Sequence, residues 1–147
     1  MNKSIMLIAG VIISVCFVIF STAIFESLYY ESEFSLSMYE NNLYVTVGLV
    51  SVGLAWAIAA LYYYLINSVS FSRWYHWMVM LLATSVLSPI VNYVLCENTF
   101  ESDGYDFSSQ LFNFSLRVFA VEIVLFVIVS FAMRWWSSNC RHTPIPE

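Results

Sequence analysis

Charge is almost absent from four stretches of this chain. Residues 5–25 and 43–66 carry none, 76–95 is interrupted only by Pro89 and Asn92, and 111–136 carries Arg117, Glu122 and Arg134. At a rise of ~1.5 Å per residue, each stretch is long enough to cross a hydrocarbon core of ~30 Å. The runs are continuously apolar and do not alternate, which excludes barrel strands and predicts helices that are greasy on every side. In the fourth stretch the uncharged part is Val118–Met133, so it spans only if Arg117 and Arg134 extend their heads to opposite interfaces. Lys3 ahead of the first stretch resembles a signal-peptide start, but Phe20-Ser21-Thr22-Ala23-Ile24 offers no small-x-small cleavage site, and a retained span is expected. The expected fold is an all-α integral membrane four-helix bundle. It forms a single polytopic domain over 1–147, with spans at about 5–25, 43–66, 76–95 and 111–136, segments 26–42, 67–75 and 96–110 between them, and a tail at 137–147.

Composition agrees. The 147 residues are 61% hydrophobic and 18% aromatic, and 10% are charged, against roughly 25% charged in an average soluble domain. A soluble enzyme, a disordered tail and a secreted disulfide scaffold are poor readings of such a chain. The net charge of −5 also argues against nucleic acid, which needs a basic face.

The position of each charge predicts orientation. Segment 26–42 holds Glu26, Glu31, Glu33 and Glu40, and segment 96–110 holds Glu97, Glu101, Asp103 and Asp106, with no Lys or Arg in either. Lys3, Arg73, Arg134 and Arg141 lie in the other segments. Basic residues in short segments mark the cytoplasmic side. Both termini and 67–75 are thus expected in the cytoplasm, of a bacterial inner membrane, with the acidic segments outside. Aromatics gather at the same boundaries: Tyr62, Tyr63, Tyr64, Trp74, Tyr75, Trp77, Trp135 and Trp136 at the basic end, Tyr29, Tyr30, Tyr39 and Tyr44 at the acidic end. That is the belt expected of amphipathic rings. Stretch 31–40 alternates in part and reads as an interfacial turn or short helix.

Lipid supplies no hydrophobic drive between helices, so small and polar residues must hold the spans together. Gly48, Ser51, Ala55 and Ala59 fall on one face of the second span and predict close packing, within the chain or against a second copy. Ser85, Ser88 and Asn92, with Thr84 alongside, form a polar face on the third span. Pro89 deprives the carbonyl of Ser85 of its helical donor and predicts a kink. Glu122 stands out most, because a carboxylate in hydrocarbon costs several kcal/mol unless paired, hydrated or protonated. Arg117, Ser88 and Asn92 are its candidate partners. It reads either as a buried bond that locks the third and fourth spans or as a functional group.

Other chemistry is sparse. Cys16, Cys96 and Cys140 fall in three separate places, so no disulfide within the chain is expected. Cys140 and His142 make only half a tetrahedral metal set, and His76 reads as an interfacial side chain. Gly-rich phosphate loops, His-Glu-x-x-His and Gly-x-Ser-x-Gly motifs are missing from the sequence. No enzyme, cofactor or metal is expected. In size, span number and inward termini the chain resembles small bacterial inner-membrane proteins of the immunity or exclusion kind, such as immunity proteins against pore-forming colicins. The resemblance is one of architecture, and it implies action by contact. The expectation is a non-enzymatic membrane protein, of immunity, accessory-subunit or assembly-factor type, that touches lipid and a membrane or extracytoplasmic protein partner. The alternative is an oligomeric channel or small transporter that uses Glu122 and the polar face of the third span.

Overall fold

A computed structural model describes residues 3–66, 70 and 73–134, so the expectations for Trp135, Trp136, Cys140, Arg141, His142 and the tail lie outside the described residues. The described chain is all helix: α1 (Lys3–Ile19), α2 (Ser21–Leu28), α3 (Ser32–Glu40), α4 (Leu43–Ala60), a π-helical turn (Leu61–Leu65), α5 (Trp74–Asp103) and α6 (Ser108–Met133). Three helices, Leu43–Leu65, Trp74–Asp103 and Ser108–Met133, are long and apolar enough to cross a membrane, and the bent pair α1–α2 makes a fourth if it counts as one. Their outward faces are greasy, with Ile12, Val15, Val79, Ile90, Leu116 and Val124 all exposed. Such a surface calls for lipid. The architecture is that of a multi-pass membrane protein.

The first span is not the single rod expected over 5–25. It breaks at Phe20, and α2 leaves α1 at 68°. Phe20 sits at φ −95° and ψ 10°, and the Ser21 hydroxyl donates to the carbonyl of Val18 at 2.8 Å. A serine hydroxyl that bonds back onto its own helix competes with the backbone ladder and bends it. The turned α2 lies close to α4: a Cβ added at Gly48 would stand 2.9 Å from Cβ of Ser21.

The acidic segments are also shorter as loops than expected. In place of an open 96–110 segment, α5 continues to Asp103 and α6 starts at Ser108. Nothing in the sequence stops α5 before Gly104, which adopts φ 79°. The amide of Gly104 then donates to the carbonyl of Glu101, and that of Tyr105 to Phe100. This is the two-bond helix ending that a left-handed glycine permits. Asp106 starts α6 by accepting from both the amide and the hydroxyl of Ser108. Those bonds hold the Asp106 carboxyl below its ordinary value, the side-chain bond contributing most. In 26–42, residues 32–40 form α3, and Asn42 turns the chain into α4 at φ 54°.

The aromatic belt needs correction at both ends. Tyr62, Tyr63, Trp77 and Tyr44 are buried core rather than interface, while Trp74, Tyr75, Tyr30 and Tyr39 are exposed. Tyr62 and Tyr63 meet edge to face at 5.0 Å within the π turn, where the Ile66 amide reaches back five residues to Leu61. α5 stays one continuous helix across Pro89, which lies inside it.

Two apolar clusters fill the interior. One, at the acidic end, gathers Phe25, Phe34, Tyr44, Phe100, Phe107 and Phe114; the other, at the basic end, gathers Ala55, Ala59, Tyr62, Tyr63, Trp77 and Phe126. The chain order of α4, α5 and α6 places one layer of buried polar residues between them.

Candidate functional site

That layer draws one side chain from α4, two from α5 and one from α6. Ser88 and Asn92 stand four apart on α5 and share its inner face. The Ser51 and Ser88 hydroxyls lie 3.2 Å apart, and Asn92 Nδ2 donates to each at 3.3 Å. Glu122 of α6 is fully buried, and the hydroxyls that influence it are those of Ser88 and Ser51. Neither Glu122 oxygen has a well-formed hydrogen bond, and neither has Asn92 Oδ1.

Counting hydrogens explains why. Asn92 offers two N–H groups and each serine one O–H. Both amide hydrogens go to the serines, and one hydroxyl hydrogen joins the two serines together. A single serine hydrogen is left for the two carboxyl oxygens and Asn92 Oδ1 together, too few to answer an ionised Glu122. The layer is rich in acceptors and poor in donors.

The sequence-derived candidates separate cleanly. Ser88, Asn92 and Glu122 come together, whereas Ser85 and Thr84 donate to the carbonyls of Leu81 and Met80 in their own helix, both at 2.7 Å. Arg117 is exposed on α6 and does not pair with Glu122. Gly48, Ser51, Ala55 and Ala59 are all buried against the chain's own helices. Ser51, expected only as a packing residue, is the third partner in the polar layer. Sequence reasoning also missed two indole bonds between helices, Trp77 Nε1 to the Ser130 hydroxyl at 3.2 Å and Trp56 Nε1 to the Ser14 hydroxyl at 2.9 Å. The signal for both was available, because a partly buried indole N–H needs an acceptor.

A second feature lies at the acidic end. α3 folds across the mouth of the bundle and inserts Phe34, which is fully buried. The Phe34 ring stands 5.8 Å from Phe100, 5.7 Å from Phe107 and 5.9 Å from Phe114. Around this plug the two acidic segments are tied together, by Asn41 Nδ2 to Asp103 Oδ2 at 3.1 Å and by Gln110 Nε2 to Glu31 Oε1 at 3.1 Å. Glu31, Glu33, Glu40, Glu101, Asp103 and Asp106 remain exposed, beside Tyr30, Tyr39 and Tyr105. A pocket of about 270 Å³ opens between Glu97, Glu101 and Asp106 over Phe100 and Phe107. Tyr29, at the edge of this cap, donates to Glu31 Oε2 at 3.0 Å. Burial, then that bond and the Glu31 charge, push its hydroxyl above the ordinary value, while Asn113 and Arg117 pull the other way.

Among the described residues, no group of three or more His, Cys, Asp or Glu side chains is arranged to hold a metal ion. Neither a known protein family, nor a characterised protein, nor a solved structure matches the chain.

Proposed function

We propose that this chain is a non-enzymatic membrane protein that acts by protein–protein contact, of immunity, accessory-subunit or assembly-factor type, and that the acidic cap is its contact face. The observation that carries the reading is the tying of two acidic segments into one ordered surface around Phe34. Solvated loops would need no such plug. Exposed carboxylates interleaved with Tyr30, Tyr39 and Tyr105 suit a partner that presents basic and apolar groups together. The pocket between Glu97, Glu101 and Asp106 has room for one lysine or arginine head. In this reading the cap faces outward from a bacterial inner membrane, with both termini and residues 67–75 in the cytoplasm, as the basic residues predict.

Burial weighs against the channel alternative. Glu122 and the small-residue stripe are enclosed within a single chain, so neither is placed to line a pore between copies.

The test is co-purification in mild detergent of the native chain beside a Glu101→Gln, Asp103→Asn, Asp106→Asn variant. A partner held by the native chain, released by the variant and by raised salt, is the expected result. Recovery of the chain with lipid alone under every condition ends the reading.

A further inference from the structure

Helical register sets the members of the polar layer at one height. Val47 of α4 and Val118 of α6 belong to the cluster at the acidic end, Ala55 and Phe126 to the cluster at the basic end. Ser51 and Glu122 are the residues one turn from each, on the same inner faces. Glu122 is fully buried with both carboxylate oxygens unpartnered, and the Ser88 and Ser51 hydroxyls are the groups that bear on it. Asn92 Oδ1, on a side chain only 2% exposed, is unpartnered too. Hydrogens are short in this layer, and oxygens are not.

The spacing of those oxygens says what would answer them. Ser51 Oγ, Ser88 Oγ and Asn92 Nδ2 stand at the corners of a triangle with sides of 3.2, 3.3 and 3.3 Å. A half-turn of the Asn92 amide puts Oδ1 at the third corner in place of Nδ2. Ligands at adjacent corners of an octahedron are about 1.4 bond lengths apart. Magnesium, bound at about 2.0–2.1 Å, therefore asks for sides of about 2.9 Å, and an ion of calcium's size, at about 2.3–2.6 Å, for about 3.3–3.7 Å. Charge decides among ions of the larger size. One carboxylate balances one positive charge, and a divalent ion would leave a net charge buried in hydrocarbon. Sodium is the monovalent ion of calcium's size.

We propose that Ser51, Ser88, Asn92 and Glu122 form a buried sodium site, in which the Glu122 carboxylate neutralises the ion and the two hydroxyls and the amide oxygen complete its shell. The serines coordinate through lone pairs, so each can turn its hydrogen onto a carbonyl of its own helix, as Thr84 and Ser85 do. The ion is held rather than conducted, because apolar clusters close the layer on both sides.

The proposal does not depend on the contact reading. The probe is sodium chloride, exchanged for potassium or choline chloride at constant ionic strength, with the full chain in a non-ionic detergent and its thermal midpoint read by far-UV circular dichroism. An ion that binds only the folded chain raises the midpoint. For a site half filled at about 10 mM, the rise between about 1 and about 100 mM sodium is about 3–5 °C. Potassium should give well under half of it, and choline none. Glu122→Gln, which supplies the missing hydrogens, should be the more stable chain in choline and show no response to sodium, so sodium narrows the gap by raising the native chain alone. Ser51→Ala should need about tenfold more sodium for the same rise. The Glu101→Gln, Asp103→Asn, Asp106→Asn chain should respond as the native one does, whatever becomes of a partner. Should Glu122→Gln fail to fold, Ser51→Ala decides. A midpoint indifferent to sodium, an equal rise in all three salts, or a sodium response that survives Glu122→Gln or is lost with the three cap carboxylates overturns the proposal.

Discussion

Replacing Glu122 with glutamine changes the shape of the side chain little and its hydrogen bonding a great deal. Glu122 Oε1, Glu122 Oε2 and Asn92 Oδ1 are buried without well-formed partners, and one serine hydrogen is left to serve them. An unsatisfied buried polar group costs about 1–3 kcal/mol. Glutamine brings two N–H donors into this donor-poor layer and turns one acceptor into a donor. Bonds between helices in a membrane average only ~0.6 kcal/mol in measured cycles, so two new ones contribute about 1 kcal/mol, and relief of an orphaned acceptor raises the expected gain to about 1–2 kcal/mol. The assay is equilibrium unfolding from mild detergent into SDS, followed by far-UV circular dichroism. Glu122→Gln should unfold at higher SDS than the native chain, and Asn92→Ala, which removes both donors to the serines, at lower SDS. A Glu122→Gln chain destabilised by more than about 1 kcal/mol refutes the hydrogen count, because the carboxylate would then be answering a partner that glutamine cannot serve.

Three further outcomes follow from packing and capping. Phe34→Ala, which empties the fully buried centre of the cap, should cost about 3–5 kcal/mol and speed hydrogen exchange across 32–40, leaving exchange in Leu43–Leu65 little changed. At Gly10 an added Cβ would stand 2.5 Å from Cβ of Ala132, so Gly10→Val should cost about 1–3 kcal/mol in the same SDS titration, and Gly53→Ala, with nothing near its Cβ, should be tolerated. The depressed Asp106 carboxyl contributes its stabilisation above the ordinary aspartate value of about 3.9 and loses it as pH falls through the lower folded value. Exchange of the Ser108 amide should therefore be flat from neutral pH down to about 4 once corrected for intrinsic rates, and rise below it, with Asp106→Ala fast throughout.

The spans were legible because a long uncharged run has few alternatives to a membrane helix, and Glu122 was legible because a carboxylate there is so costly. What the sequence hid was set by tertiary contact. Ser21 reads as an ordinary residue of an apolar run, and the bend beside it becomes visible only with Gly48 of α4 in place. Tyr44, Tyr62, Tyr63 and Trp77 are chemically the same residues that line membrane interfaces, so composition alone placed them at the surface. Gly104 was a readable stop, yet the acidic residues before it disguised the end of α5 as loop, since exposed helix tolerates Glu and Asp as readily as a turn does. Phe34 shows the same limit: one phenylalanine among serines and glutamates gave no sign that it would seal the bundle.

Position of the polar layer bears on everything at the acidic end. Apolar side chains in lipid gain little from one helix register over another, because lipid tails solvate them as well as a neighbouring helix does. Hydroxyl, amide and carboxyl groups do discriminate. Sliding α6 by one turn moves Glu122 about 5.4 Å, into the aromatic cluster on one side or the Ala55–Phe126 cluster on the other, away from Ser51 and Ser88. The same slide would draw Gln110 away from Glu31 and part Phe107 and Phe114 from Phe34. One buried layer thus fixes the height at which α4, α5 and α6 present the cap. A chain with Ser51→Val and Ser88→Val should keep its helices and lose that alignment, measured as a longer distance between spin labels at positions 33 and 102. An unchanged distance in that variant would place the register in the Phe34 plug alone.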